Sequence, residues 1–204
     1  MHDRRPKMLS LRATLTLLAA ISSFSAAAEE MGGTRTCESE LVAPSRRYNI
    51  PLAVFYAVGL NESGSKGRLQ PYAMNIDGTA SSSASLAEAI DRFHRAKSAG
   101  ARMIDVGCMQ INHHYHGQHF PTLEAMFDPT NNVDYAARFL LELKSRERTW
   151  TMAVARYNAG PDNDPAQKTY VCAVIGRMVS SGFGRWTESA KNFCNGTRVA
   201  EKQQ

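Results

Sequence analysis

The sequence predicts a single, mostly helical domain with one small β-hairpin insert. The chain has 204 residues, a length typical of one domain. Apolar residues recur at helical spacing in several segments, whereas Asp77-Gly78 separates two short runs in the manner of a tight hairpin turn. Neither an internal repeat nor a low-complexity linker divides the chain, and so we expect no second domain.

The first two predicted helices flank Pro51. Residues 38–48 are predicted to form a short helix, and Pro51 suits the first position of the next helix, which runs to about Asn61. Apolar residues lie on every side of that second helix: Leu52, Val54, Phe55, Val58 and Leu60. Because a surface helix would carry a polar face, we expect this helix to be buried at the centre of the domain.

The β-hairpin insert follows a loop over residues 64–72, which is rich in Gly and Ser. Residues 103–106 are predicted to form a short strand that returns to the hairpin. Between the hairpin and this strand, Ser85 can cap a helix that runs through Ser98, and Gly100 is placed to end it.

Four helices are predicted in the C-terminal half of the chain. Their spans are about 131–146, 149–160, 165–180 and 186–193. Asp128 or Thr130 can cap the first helix and Thr149 the second, because short polar side chains accept hydrogen bonds from the N–H groups at a helix start. A His-rich loop over residues 113–119 is predicted before them.

Residues 1–28 are predicted to be a cleaved export signal. Its apolar stretch, Ala13–Phe24, is too short to span a bilayer, and the small residues Ser25–Ala28 offer a cleavage point. Four basic residues precede that stretch: Arg4, Arg5, Lys7 and Arg12. An uncleaved anchor is the alternative. A cleaved signal predicts a periplasmic protein with no stable membrane span.

The charge balance of the remaining chain gives little support to nucleic-acid binding. The signal holds four of the 24 Lys and Arg residues and one of the 19 Asp and Glu residues, which leaves a net charge of +2. No basic run with interleaved aromatic residues is present.

The chain after the export signal is predicted to have three parts. They are a flexible tail over residues 29–36, the domain over residues 37–195 and a C-terminal tail over residues 196–204.

Four short motifs occur in order along the predicted domain. Glu62 ends the apolar helix, and it is followed by Gly107-Cys-Met-Gln-Ile-Asn112, Arg156-Tyr-Asn-Ala-Gly160 and Tyr170-Val-x-x-Val174. Burial disfavours the charged form of a carboxyl group. An acid at the end of a buried helix is therefore suited to protonate a leaving oxygen near neutral pH.

The order and content of these motifs resemble the soluble lytic transglycosylase (SLT) family, whose domain has a goose-type-lysozyme-like fold. The resemblance covers about residues 45–178. It implies a lysozyme-like α+β domain that cleaves the glycan strands of peptidoglycan without a cofactor or a metal. Many small relatives open the cell wall for a secretion, conjugation or flagellar machine, and such an assembly is a possible partner here.

The resemblance also implies a mechanism with one carboxyl group. Most glycosidases use two carboxyl groups, whereas Glu62, followed by Ser63, matches the single catalytic Glu of the family. That Glu protonates the bond between N-acetylmuramic acid and N-acetylglucosamine. It then deprotonates the 6-hydroxyl of the sugar, which closes a 1,6-anhydro ring without external water. The substrate's acetamido group stabilises the sugar cation.

The other site residues are carried over from the family motifs. Those expected to bind the substrate or to hold the carboxylate are Ser63, Asn75, Met109, Gln110, Tyr157, Asn158 and Tyr170. Asn75 stands where the family often has Ser, and it either orients the acetamido group or Glu62, or is simply a turn residue. The insert between Gly78 and Asp105 either walls the cleft or packs away from it. Cys108 and Arg156 replace the Leu and Ala of the family pattern.

Four cysteines follow the predicted signal, and an even count in an exported chain favours disulfides with three possible connectivities. Buried free thiols are the alternative. Some relatives carry only an N-terminal Cys and the Cys of the Gly-Cys motif. The resemblance therefore implies a Cys37–Cys108 bridge, which leaves Cys172–Cys194 as the second.

Three other interpretations remain open at the level of the sequence. Asp77 or Asp105 could act as a base for water, which would make the protein a hydrolytic muramidase. The chain could instead be a peptidoglycan-binding module of a secretion apparatus. Four histidines allow a metal site, but they lack the spacing of known zinc motifs, and a solvated or hydrogen-bonded loop is expected: His113, His114, His116 and His119.

Overall fold

The computed structural model describes residues 35–197. The predicted export signal, most of the predicted N-terminal tail and residues 198–204 lie outside the described residues. The described chain is mainly helical, with a small antiparallel sheet, which confirms the predicted fold class. No helix in this part of the chain is long and apolar enough to cross a membrane.

The helices follow the predicted order with a few corrections. They are α1 Cys37–Arg47, α2 Leu52–Ser63, α3 Leu86–Ser98, α4 His113–His116, α5 Leu123–Phe127, α6 Pro129–Glu147, α7 Trp150–Ala159, α8 Asp164–Ser180 and α9 Glu188–Cys194. The prediction that Pro51 is the first helical residue of α2 was wrong by one position, because Pro51 is the N-cap. The last helix starts two residues later than predicted, since Thr187 caps it by accepting a hydrogen bond from the Ala190 N–H.

The predicted His-rich loop is helical in the structure. Asn112 caps α4 through its Oδ1 atom, which accepts hydrogen bonds from the N–H groups of His114 and Tyr115. A turn of 3₁₀-helix over Gly117–His119 follows. The short helix α5 was not predicted, although Thr122 caps it by accepting from the Ala125 N–H.

The sheet confirms the predicted hairpin. Its strands are β1 Ala73–Ile76, β2 Thr79–Ser82, β3 Ile104–Val106 and β4 Ile111–Asn112, paired antiparallel in the order β2-β1-β3-β4. Asp77 and Gly78 both have positive φ angles, 46° and 91°, as a two-residue type I′ turn requires. The Asp77 Oδ1 atom also accepts hydrogen bonds from the N–H groups of Arg102 and Met103, which ties the turn to the return strand.

Helix α2 lies at the centre of the core, as its apolar sequence predicts. It packs against α1 and α8, and its side chains of Phe55 and Val58 are fully buried. Gly59 permits a close approach, because a Cβ atom there would lie 2.5 Å from Leu69 and 3.1 Å from the sulfur of Met109. The last turn of α2 is therefore held directly against the segment that contains Met109.

Two disulfides join distant parts of this fold. Cys37–Cys108 links the start of α1 to the segment between β3 and β4, and Cys172–Cys194 links α8 to α9. All four cysteines are paired, in the connectivity that the family resemblance implies. Helix α9 has no buried residue, and the second disulfide is its covalent attachment to α8.

Candidate active site

A cavity of about 370 Å³ lies where the end of α2 meets the sheet, α4 and α7. This volume is within the range of small-ligand clefts. Four of the site residues predicted from the sequence line it: Glu62, Gln110, Tyr157 and Asn158. Asp105 and Arg156 also line it, and so the cavity contains carboxylates, amides, a phenol and a guanidinium group.

Glu62 is half-buried in the last turn of α2, and Tyr170 contacts it from α8. The Tyr170 hydroxyl donates a short hydrogen bond to the Glu62 Oε1 atom. Burial, and then the negative charge of Glu62, hold the pKa of Tyr170 well above its usual value. Tyr170 therefore keeps its proton and acts as a permanent hydrogen-bond donor to this carboxylate.

Tyr157 connects α7 to the segment between β3 and β4. Its hydroxyl donates to the Met109 carbonyl oxygen at 2.8 Å, while the residue also lines the cavity. Burial, followed by the charges of Glu62 and Asp105, raises the pKa of Tyr157 well above its usual value. Like Tyr170, this side chain therefore keeps its proton near neutral pH and acts as a hydrogen-bond donor.

The segment Gly107–Gln110 is held in place by a buried side chain of α6. Asn132, which is fully buried on α6, accepts a hydrogen bond from the Met109 N–H at 2.8 Å through its Oδ1 atom. Its Nδ2 atom donates to the carbonyl oxygens of Val106 at 3.0 Å and Met126 at 2.9 Å. All of the hydrogen-bonding capacity of this amide except one lone pair is therefore used to join the segment, the end of β3 and α5.

Gly107 is required by this arrangement. Its φ angle is +83°, and a Cβ atom there would lie 2.5 Å from the Nδ2 atom of Asn132. Gln110 also has a positive φ angle, 47°, and its side-chain amide donates to the carbonyl oxygens of Ala73 and Gly107. Both residues thus adopt backbone conformations that the surrounding hydrogen bonds maintain.

Ser63 and Met109 lie behind the cavity instead of lining it. Ser63 is buried, and its hydroxyl donates to the Cys108 carbonyl oxygen at 2.6 Å and accepts from the Gln70 N–H at 3.2 Å. Met109 is fully buried in the core. The structure therefore gives both residues a supporting position, which differs from the substrate contact expected from the sequence.

Asn75 makes the hydrogen bond of a turn residue. Its Oδ1 atom accepts from the Gly78 N–H at 2.8 Å, which favours the simpler of the two sequence interpretations. Helix α3 of the insert packs against β1 and α5, and Met103 is the residue of the insert that lines the cavity. Most of the insert thus packs away from the site.

The two candidate second carboxylates differ in position. Asp77 is exposed at the hairpin turn, where its side chain serves the backbone. Asp105 lies in the cavity wall, and its Oδ1 atom accepts a hydrogen bond from the Asn112 Nδ2 atom at 2.6 Å. Burial raises the pKa of Asp105, and the hydrogen bond from Asn112 opposes part of that effect.

The model of the transglycosylase SLT domain family matches residues 41–174. This chain belongs to the transglycosylase SLT domain family. Its members are lytic transglycosylases that act on peptidoglycan, and the protein is an enzyme of this kind. No curated protein and no solved structure matches the chain.

Arg156 is the main departure of this SLT domain from the family pattern within the cavity. Its Nε atom forms an ion pair with Glu147 at 3.1 Å, and its Nη1 atom donates to the carbonyl oxygens of Gly160 and Pro161. Gln167 on α8 donates to the same two carbonyl oxygens, at 2.7 and 3.2 Å. The two side chains together hold the turn that ends α7, directly after Asn158.

Several residues of the SLT site had not been predicted from the sequence. Asn132, Gln167 and Tyr115 belong to none of the four motifs. Asn132 contacts Met109 and Val106, which are 23 and 26 residues away in the chain, whereas the hydrogen bonds of Gln167 and Tyr115 are to residues at most seven positions away. His116 lines the cavity and shares a 2.8 Å hydrogen bond with the Tyr135 hydroxyl. Within residues 35–197, no group of three or more His, Cys, Asp or Glu side chains is placed to hold a metal ion.

Proposed function

We propose that this SLT-domain enzyme cleaves the β-1,4 bond between N-acetylmuramic acid and N-acetylglucosamine and leaves 1,6-anhydro ends. Glu62 is the single general acid and base. The observation that carries the proposal is the contact between Glu62 and Tyr170 at the wall of the cavity. A protonated phenol fixes one carboxyl oxygen, and so the carboxyl group has a defined orientation toward the bound glycan.

The proposed reaction begins with a proton transfer from Glu62 to the glycosidic oxygen. Because Tyr170 donates to Oε1, the transferred proton is carried by the other carboxyl oxygen. The bond between C1 and the leaving oxygen breaks, and the acetamido oxygen stabilises the positive charge at C1. The Glu62 carboxylate then takes the proton of the 6-hydroxyl as O6 bonds to C1, which restores the acid and consumes no water.

Product masses test this proposal. Purified sacculi are digested with the enzyme, and the released muropeptides are weighed. We expect ends that are lighter by one water than reducing ends. Reducing ends as the main product would contradict the proposal, and a digest in ¹⁸O-labelled water would then show one labelled oxygen in each new end.

A hydrolytic muramidase is the second candidate, and the position of Asp105 favours it. This carboxylate lies in the same cavity as Glu62, and two carboxyl groups flanking a glycosidic bond are the usual arrangement of a glycosidase. In that mechanism Asp105 would activate a water molecule. Its hydrogen bond with Asn112 would orient the carboxylate.

We further propose that the enzyme is exported to the periplasm. The sequence of residues 1–28 supports export, and so do the two disulfides, since disulfides persist in oxidising compartments. Mass analysis of protein recovered from the periplasmic fraction tests this. We expect a mature chain that starts near Glu29, and a full-length chain would contradict cleavage.

Service to a secretion, conjugation or flagellar machine rests on the family resemblance alone. Because Glu62 is present in the cavity wall, we expect any such role to include catalysis. Complementation by a Glu62→Gln variant tests this: failure to support the machine is expected. Full support would favour the alternative of a peptidoglycan-binding module.

A further inference from the structure

Two exposed apolar side chains lie on the wall of the cavity. Among residues 35–197, seven large hydrophobic side chains are exposed, and Met103 and Tyr115 are the two that line the cavity. Tyr115 is the most exposed of the seven, at 58%. Exposed apolar surface is costly in water, and a patch continuous with a binding site commonly marks part of that site.

The backbone that carries Tyr115 is held firmly, although its ring is exposed. Its N–H donates to the Asn112 Oδ1 atom at 3.3 Å, and its carbonyl oxygen accepts from the Gln118 side chain at 2.9 Å. The rings of His114 and His116 meet it at interplanar angles of 76° and 67°. An exposed ring on a fixed helix loses little conformational freedom when a ligand binds.

A sugar ring fits the chemistry of this surface. A pyranose has apolar C–H faces and a polar rim, and an N-acetyl group adds a methyl group and an amide. Tyr115 offers an aromatic surface and Met103 a polarisable thioether. The amide of Asn158, which also lines the cavity, offers hydrogen bonds to hydroxyl and acetamido groups.

We propose that Tyr115 and Met103 form a saccharide subsite that binds an N-acetylhexosamine ring of the glycan strand next to the cleaved bond. This inference rests on the proposed function, because it places the glycan in the cavity that contains Glu62. The C–H face of the sugar packs on Tyr115, and the acetamido methyl group contacts Met103. The subsite increases the affinity for the strand without taking part in proton transfer.

Binding of tetra-N-acetylchitotetraose to a Glu62→Gln parent tests the subsite by isothermal titration calorimetry. In this background, Tyr115→Ala is expected to raise the Kd about tenfold, which corresponds to about 1.4 kcal/mol. Tyr115→Phe retains the ring and is expected to bind as the parent does. Phe183→Ala is the matched control, because Phe183 is also exposed but does not line the cavity.

The outcomes separate this inference from the proposed function. Unchanged affinity in the Tyr115→Ala variant, or an equal loss in the Phe183→Ala variant, would overturn the subsite, as would a parent that does not bind the tetramer. In the wild-type background, Tyr115→Ala should raise the sacculus concentration at half-maximal rate and leave the mass of the released ends unchanged. Reducing ends from every variant would contradict the anhydro reaction and leave the subsite standing.

Discussion

Replacement of Asn132 by Ala is expected to destabilise the protein severely. The fully buried side chain makes three hydrogen bonds of 2.8 to 3.0 Å, to the Met109 N–H and to the carbonyl oxygens of Val106 and Met126. Each buried polar group left without a partner costs about 1–3 kcal/mol. We expect the free energy of unfolding to fall by about 3–5 kcal/mol, a large part of the 5–15 kcal/mol typical of a domain.

Urea unfolding followed by circular dichroism measures this loss. The matched control is Asn131→Ala, because Asn131 is the same residue type at the preceding position of α6 and is exposed. An Asn132→Leu variant fills the site with a larger apolar side chain that makes none of these hydrogen bonds, and so it excludes an empty cavity as the cause of the loss. Both Asn132 variants should unfold at much lower urea than the control.

A loss of stability in Asn132→Ala no larger than that in Asn131→Ala would contradict this prediction. So would an Asn132→Leu variant as stable as the wild type, since the hydrogen bonds would then contribute little. Where enough folded protein remains, its activity per folded molecule should also fall, because the segment held by Asn132 carries the carbonyl group that Tyr157 contacts.

Three further predictions concern the walls of the site. Arg156→Ala breaks the partly buried ion pair with Glu147 and should cost about 1–3 kcal/mol of unfolding free energy, as hydrogen bonds to charged groups do. Arg146→Ala breaks an exposed ion pair and should cost less than about 1 kcal/mol, and equal losses in the two variants would contradict a stabilising role for Arg156. Burial raises the pKa of Asp105, so the folded state binds that proton more tightly than the unfolded state and loses stability as the pH rises through this pKa. Asp105→Asn should therefore be at least as stable as the wild type at pH 7, and it should not be more stable than the wild type below about pH 4. A variant less stable than the wild type at pH 7 would contradict a destabilising effect of the Asp105 charge. The double variant Cys37→Ala/Cys108→Ala opens a loop with a sequence separation of 71 and should lower thermal and urea stability by about 4 kcal/mol; unchanged midpoints would refute this contribution.

Features set by local chemistry could be predicted from the sequence. The Asp77-Gly78 pair predicts the hairpin because it suits the positive φ angles that the turn adopts. Ser85 and Thr149 cap their helices through hydrogen bonds to N–H groups three residues away. The apolar character of α2 on all sides predicts its central position. Each of these inferences needs only neighbouring residues.

The interior of the site depends on contacts between distant segments and could not be predicted in this way. Asn132 is one of two adjacent asparagines, and nothing in the local sequence distinguishes the buried one. Arg156 departs from the family pattern, but its partner Glu147 lies on another helix. Tyr170 donates to Glu62 from 108 residues away in the chain, and only the family motif, not the local sequence, led us to expect it beside Glu62.

The most direct test of the central claim compares the products of Glu62→Gln and Asp105→Asn with those of the wild type. Each purified variant digests the same sacculi, and mass spectrometry quantifies the anhydro and reducing ends. We expect Glu62→Gln to release neither kind of end, and Asp105→Asn to release anhydro ends. Release of anhydro ends by Glu62→Gln at the wild-type rate would contradict the account, as would their complete loss in a folded Asp105→Asn variant.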